Sequence, residues 1–140
     1  MNTLKLIAII PGGVKDCRLL YDDGSTLKLS CSVEHYMDTL SAMTGGDNGI
    51  CRRLFTRRKG TGLRMGDGTT YVELRLAADP PIYGYVLLSA IEKIFPRKDG
   101  KCTLYLSGGL TLPTFWRIQT VAAHIQMVEK VLGNKETKAE

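Results

Sequence analysis

Six of the 19 lysines and arginines lie between residues 48 and 66, a stretch that contains no acidic residue. They are Arg52, Arg53, Arg57, Arg58, Lys59 and Arg64, and Phe55 lies among them. Lysine and arginine neutralise nucleic-acid phosphates, and an exposed phenylalanine can stack on a base. Glycines follow in the same segment, so its backbone could approach a nucleic acid closely. The sequence therefore predicts a nucleic-acid-binding site made of these seven side chains.

Two alternative roles for the charge cluster stay open at this point. The arginines could contact a protein or another anionic partner, or they could form ion pairs with acidic residues of the same chain. A nucleotide-binding loop is disfavoured, because residues 60–66 lack the GxxxxGK[ST] spacing and precede a predicted strand rather than a helix. The sequence does not decide whether the basic segment is exposed or paired internally.

Residues that could support catalysis or bind a metal ion are scattered along the chain. The cysteines at 17, 31, 51 and 102 form no CxxC pair, and the histidines at 35 and 124 are far apart. Zinc sites use closely spaced pairs of ligands, and acyl-transfer sites need a nucleophile beside a base. We therefore expect buried cysteines, no metal, no cofactor and no enzymatic activity.

Composition places the chain among soluble globular proteins. Its 140 residues are 44% apolar and 24% charged, which suits one domain with one core. The apolar run near the amino terminus covers only residues 6–10, and no stretch approaches the roughly 18 apolar residues of a membrane span. We expect a single cytoplasmic domain over residues 1–140 with no membrane association.

One part of the sequence occurs in two similar copies. Residues 17–41 align without a gap with residues 102–126, and five positions are identical. Each copy has two apolar segments around a glycine-containing turn, which is typical of a β-hairpin. A stripe of apolar residues at helical spacing follows, and in the first copy Ser32 is placed to cap that helix. Each copy therefore predicts a β-hairpin followed by a helix, the second helix running over about residues 116–132.

Further strands complete the predicted architecture. Residues 4–10 and 50–55 fit strands, and residues 70–77 are a convincing strand, because Val72, Leu74 and Leu76 alternate with Glu73 and Arg75. Residues 85–95 fit either a strand or a short helix that begins near Ser89, and the correspondence with residues 4–10 favours the strand. Trp116, where the last strand meets the last helix, is expected to be a core residue.

These elements predict an α+β fold in which a mostly antiparallel sheet carries two helices on one face. Unit one covers about residues 3–46, the basic hairpin or loop and its following strand 47–80, unit two 83–133, and a frayed tail 134–140. The matched positions are those that turns and helices require, so we expect function in the segment between the copies. The predicted function is a small non-enzymatic binding protein that contacts nucleic acid electrostatically through residues 52–64. The alternative is a protein–protein interaction or self-association module, such as an accessory or inhibitor protein of a mobile genetic element.

Overall fold

A computed structural model describes residues 5–12, 15–45, 50–55, 60–65, 68–77 and 82–131. The elements within these ranges are β1 (Leu6–Pro11), β2 (Cys17–Tyr21), β3 (Thr26–Leu29), α1 (Val33–Gly45), β4 (Ile50–Phe55), β5 (Gly60–Met65), β6 (Thr70–Ala77), β7 (Ile82–Leu87), β8 (Ile91–Pro96), β9 (Cys102–Leu106), β10 (Thr111–Pro113) and α2 (Ile118–Val131). Single turns of 3₁₀ helix follow β7 and β9, at Leu88–Ala90 and Ser107–Gly109.

The strands form two antiparallel sheets. The larger has the order β3-β2-β1-β7-β6-β5-β4, and the smaller has the order β10-β9-β8. Helix α1 packs against β1, β4 and β5, whereas α2 packs against β5, β6 and β8. The predicted α+β class, with mostly antiparallel strands and two helices, is confirmed. The division of the strands into two sheets was not predicted.

The three central strands of the large sheet are buried on both faces. Ile7, Ala8 and Ile9 of β1 are all 0% exposed, and residues 85–87 of β7 are buried as well. Successive strand residues point to opposite faces, so burial of consecutive residues means that both faces are covered. The same holds in β6, where Glu73 is only 4% exposed. The alternation of apolar and polar residues in β6 therefore does not mark a solvent-exposed face.

The buried carboxylate of Glu73 has a hydrogen-bond donor across the sheet. Tyr85 lies directly opposite Glu73 in the pairing of β6 with β7, and its hydroxyl donates to Glu73 Oε2 at 3.3 Å. A buried polar group destabilises the fold unless it is hydrogen-bonded. This contact therefore explains part of how an acidic residue is accommodated in the core.

We expect Tyr85→Phe to lower the free energy of unfolding by about 1–3 kcal/mol, because it leaves a buried carboxylate without one of its donors. Urea unfolding of the variant and the parent chain measures this loss. Tyr105→Phe is the matched control, since Tyr105 is an exposed tyrosine of the small sheet. Equal stability of the two variants would contradict the assigned role of the Tyr85 hydroxyl.

The apolar run 85–95 is neither one strand nor a helix. It ends β7, passes through the 3₁₀ turn Leu88–Ala90 and continues as β8, so it crosses from the large sheet to the small one. Leu88 and Ala90 are buried and only Ser89 of the turn is exposed. Because the turn itself is buried, Leu88 and Ala90 are as apolar as the residues of the strands on either side. The sequence therefore does not show where the chain changes direction.

Elements of the two predicted units recur at one spacing along the chain. Strands β8, β9 and β10 and helix α2 each begin 85 residues after β1, β2, β3 and α1, respectively. The β2–β3 turn and the β9–β10 turn contact each other. A Cβ atom on Gly108 would lie 2.7 Å from the carbonyl carbon of Asp22, and Gly108 has a φ of +80°. Position 108 therefore requires glycine, both for the positive φ angle and for the close approach of its backbone to Asp22.

We expect Gly108→Ala to destabilise the protein more than Gly100→Ala. Both glycines have a positive φ, but a Cβ on Gly100 would meet nothing within 4 Å. Gly100→Ala should therefore cost about 1–2 kcal/mol for backbone strain alone. Gly108→Ala should cost a further ~1–3 kcal/mol, because the turns must move apart. Thermal unfolding compares the two variants, and equal losses would show that the turn–turn contact is not a constraint.

Candidate functional site

The predicted basic segment lies on a hairpin at one edge of the large sheet. Strand β4 is the outermost strand there and carries Arg52, Arg53 and Phe55, and β5 carries Arg64. The register places Arg52 directly opposite Arg64, and the last pair of the hairpin is Phe55 with Gly60. Three of the predicted site residues, Arg57, Arg58 and Lys59, fall outside the described residues.

The hairpin and the segment that precedes α2 both contact β6. The pairing of β5 with β6 ends at Gly62 with Val72. Farther along β6, the carbonyl of Arg75 accepts a hydrogen bond from the Phe115 N–H at 2.8 Å. Strand β6 therefore connects the hairpin with the segment that precedes α2.

A cleft of about 800 Å³ lies between the β8–β9 turn and the start of α2. Its lining includes Asp99, Lys101, Phe115, Trp116 and Arg117. Two cations lie over the Phe115 ring: Lys101 Nζ is 4.6 Å from the ring centroid and Arg75 Cζ is 5.0 Å from it. The cleft thus combines aromatic and cationic groups.

Trp116 is held in place by two other rings. Its ring centroid lies 4.4 Å from that of His124 at a tilt of 35°, and 6.5 Å from that of Tyr83 in an edge-to-face arrangement. His124 is itself oriented by a 3.0 Å contact between its Nδ1 and the carbonyl oxygen of Thr120. Trp116 is half-buried: it packs against the hydrophobic core, and it also lines the cleft.

Arg97 organises the turn on the other side of the cleft. Its guanidinium donates to the carbonyl oxygens of Cys102 at 2.8 Å and Thr114 at 3.1 Å, and to Asp99 Oδ2 at 3.1 Å. Asp99 also accepts a hydrogen bond from the Lys101 N–H at 2.9 Å. The bond from Lys101 and the contact with Arg97 lower the pKa of Asp99. Asp99 therefore acts as a hydrogen-bond acceptor within the turn.

Sequence reasoning missed the cleft, although the two copies contained a signal. At the shared spacing, Lys101, Phe115, Trp116 and Arg117 correspond to positions 16, 30, 31 and 32. Those positions hold aspartate, serine, cysteine and serine. The positions that match in the two copies include none of these four residues, so only the positions that differ point to the cleft. At these four positions only unit two has aromatic and cationic residues.

The helix starts illustrate the difference between the copies. Ser32 Oγ accepts a hydrogen bond from the His35 N–H at 3.1 Å, so the predicted cap of α1 is confirmed. The corresponding residue before α2 is Arg117, whose side chain is exposed and cannot accept such a bond. Unit one therefore has a capped helix start where unit two has a cation beside a cleft.

Among the cysteines whose side chains the structure describes, Cys17 and Cys102 are buried as predicted, whereas Cys31 is half-buried. Cys17 and Cys102 are both 0% exposed and both are free thiols. Burial, and secondarily the neighbouring Cys31, raise the pKa of Cys17 to about 11. Such a thiol is a poor nucleophile at neutral pH. Within the described residues, no group of three or more His, Cys, Asp or Glu side chains could hold a metal ion.

We expect the stability that Cys17 contributes to fall as the pH rises from about 9 to about 11. The folded state raises the pKa of this thiol from 9.0 to about 11, so unfolding releases a proton in that range. Urea unfolding at several pH values should show the parent chain losing part of its advantage over Cys17→Ala as the pH increases. A difference that is constant across this range would contradict the burial of a neutral thiol.

No protein-family profile, curated protein or solved structure matches this chain. In the part of the chain that the structure describes, no helix has the length and apolar character needed to cross a membrane.

Proposed function

We propose that this protein is a small, non-enzymatic binding protein that contacts nucleic acid through its basic hairpin. The basic hairpin comprises β4, β5 and the residues between them. The observation that carries the proposal is the concentration of six basic residues and no acid in residues 48–66, which include an outer strand of the large sheet. An edge position leaves one side of a hairpin without a strand neighbour, so a long polyanion can lie along it.

The rest of the chain would serve as a rigid scaffold built from two similar units. Shared element spacing supports this proposal, and so does the contact between the β2–β3 and β9–β10 turns, which are equivalent turns of the two units. Equivalent surfaces meet in this way at a two-fold axis. We therefore propose an approximate internal two-fold axis that passes between the turns.

The test replaces four arginines of the basic hairpin, Arg52, Arg53, Arg57 and Arg58, with alanine. Binding to fluorescent duplex and single-stranded oligonucleotides is measured by anisotropy as the salt concentration is raised. Each lost phosphate contact should reduce the slope of log K against log salt by about 0.9 for duplex DNA. We expect affinity to fall at least about tenfold at low salt, since several contacts are removed together.

A control with the same change of net charge separates specific contacts from overall electrostatics. It replaces four exposed basic residues elsewhere, Arg18, Lys28, Lys93 and Lys130, with alanine. This control should bind nearly as the parent chain does. The proposal is wrong if both variants lose affinity equally, or if removing the hairpin arginines changes neither the affinity nor the salt slope.

A second candidate function is protein–protein assembly, which one feature of the small sheet favours. Phe95 and Tyr105 pack edge to face with ring centroids 4.7 Å apart, and they are 43% and 44% exposed. Exposed aromatic pairs are common in protein interfaces. A stable oligomer in light scattering, together with no affinity for oligonucleotides, would favour this candidate over nucleic-acid binding.

A further inference from the structure

We infer that the cleft beside α2 is a base-and-phosphate site, and that the protein therefore binds single-stranded nucleic acid. This inference rests on the proposed function and names the class of nucleic acid. An unpaired base would lie against Phe115 and Trp116, and the adjoining phosphate would lie between Lys101 and Arg117. A duplex does not fit this description, because its base faces are hidden in the stack.

The cleft has the composition that a nucleotide requires. Its volume of about 800 Å³ falls within the range of small-molecule sites, and two aromatic side chains and two cationic side chains line it together. Every base has a planar face that can stack on an aromatic ring, so such contacts form with any base. Aromatic and cationic residues alternating along a groove are the usual means of binding single strands.

The cations of the cleft are available to a phosphate. Among the described residues, neither Lys101 nor Arg117 forms an ion pair with an acidic side chain. Asp99, the acidic residue of the lining, is occupied by hydrogen bonds from Arg97 and from the Lys101 N–H. The Lys101 ammonium lies over the face of Phe115, and its charge helps to lower the pKa of Asp99, but the structure records no ion pair between these two side chains among the described residues. Moving the ammonium onto a phosphate would expose the part of the ring that it covers and would leave Arg75 as the cation beside Phe115.

The aromatic platform is already ordered without a ligand. Trp116 is held by His124 and Tyr83, and the backbone of Phe115 is hydrogen-bonded to Arg75. A preorganised site loses less conformational entropy when it binds. These contacts hold Trp116 in place for stacking, whereas the face of Phe115 becomes accessible only when Lys101 moves off it.

The position of the cleft links it to the basic hairpin. Arg75 of β6 contacts Phe115, and the same strand pairs with β5 of the hairpin as far as Val72. A single strand that leaves the cleft along β6 towards Val72 would therefore meet the hairpin next. The cleft would bind one unpaired nucleotide, and the hairpin would add electrostatic contacts to the phosphates of the neighbouring nucleotides.

Unit one is a natural contrast for this site. The position that corresponds to Lys101 is Asp16, whose carboxylate pairs with Lys28 at 3.5 Å. The positions that correspond to Phe115 and Arg117 hold serines. Unit one therefore has an acidic residue and two serines where unit two has two cations and a phenylalanine. The same scaffold therefore carries the site in unit two only.

Trp116 makes the inference directly measurable, because it is the single tryptophan of the chain. Its fluorescence is followed while the full-length protein is titrated with an oligothymidine, with the same oligonucleotide in duplex form, and with thymidine monophosphate. Base stacking quenches indole fluorescence, so we expect saturable quenching by the single strand at concentrations where the duplex causes little. The single strand should also bind at least tenfold more tightly than the monophosphate. Equal affinity for the monophosphate and the single strand would overturn the inference in favour of a free-nucleotide site.

The double variant Lys101→Ala/Arg117→Ser tests the proposed phosphate contacts without removing the reporter. We expect at least a tenfold loss of single-strand affinity, whereas Lys93→Ala/Lys130→Ala, which changes the net charge equally, should retain affinity. Both side chains changed in the test variant lie at the surface of the cleft, and circular dichroism checks that the fold is retained. Equal affinities of the two double variants would overturn the cleft as the binding site.

The outcome separates this inference from the proposed function. If oligonucleotides bind through the hairpin arginines but leave Trp116 fluorescence unchanged, the cleft inference is wrong and the proposed function stands. If no oligonucleotide binds at any salt concentration, both are wrong.

Discussion

Burial of β1, β7 and β6 on both faces is the constraint on which the rest of this structure depends. A sheet whose central strands are apolar on consecutive residues needs a packed layer on each side. The close approach of α2 to β5 illustrates how tightly these layers fit. A Cβ atom on Gly62 would lie 2.8 Å from Val128 Cγ2, so only glycine at position 62 lets α2 pack this close to β5.

The same packing fixes the geometry of the candidate site. The segment before α2 is attached to the small sheet through Thr114, whose N–H and hydroxyl both donate to the Cys102 carbonyl oxygen at 3.0 Å. It is attached to the large sheet through the hydrogen bond from Phe115 to Arg75. Phe115 and Trp116 are therefore held between two sheets rather than on a free loop. Residues positioned from both sides in this way can present an ordered surface to a ligand.

Similar units can serve different purposes when they differ in side chains and not in scaffold. The residues shared by the copies form turns, core positions and helix stripes, and these maintain the backbone. At the start of α2 the second copy has basic and aromatic residues, where the first copy has an aspartate, two serines and a cysteine. Function in this chain is therefore expected from the segment between the copies and also from the divergence of the second copy.

The sequence by itself determined the features that depend on neighbouring residues. These are the hairpins, the two helices, the Ser32 cap and the concentration of basic residues in one segment. Turn chemistry, helical periodicity and capping act over a few residues, so they can be read locally. Burial of Cys17 and Cys102 could also be predicted, because cysteine outside a metal site behaves as a small apolar residue.

Only the tertiary structure decided which faces are covered and which side chains meet. The burial of Glu73, the exposure of Leu27 on an edge strand and the break at Leu88–Ala90 all depend on layers formed by distant parts of the chain. The cleft is of the same kind, since Lys101 and Phe115 come together through the pairing of strands and not through their sequence separation. Local patterns carry no record of such contacts, because the partners are brought together only when the layers pack.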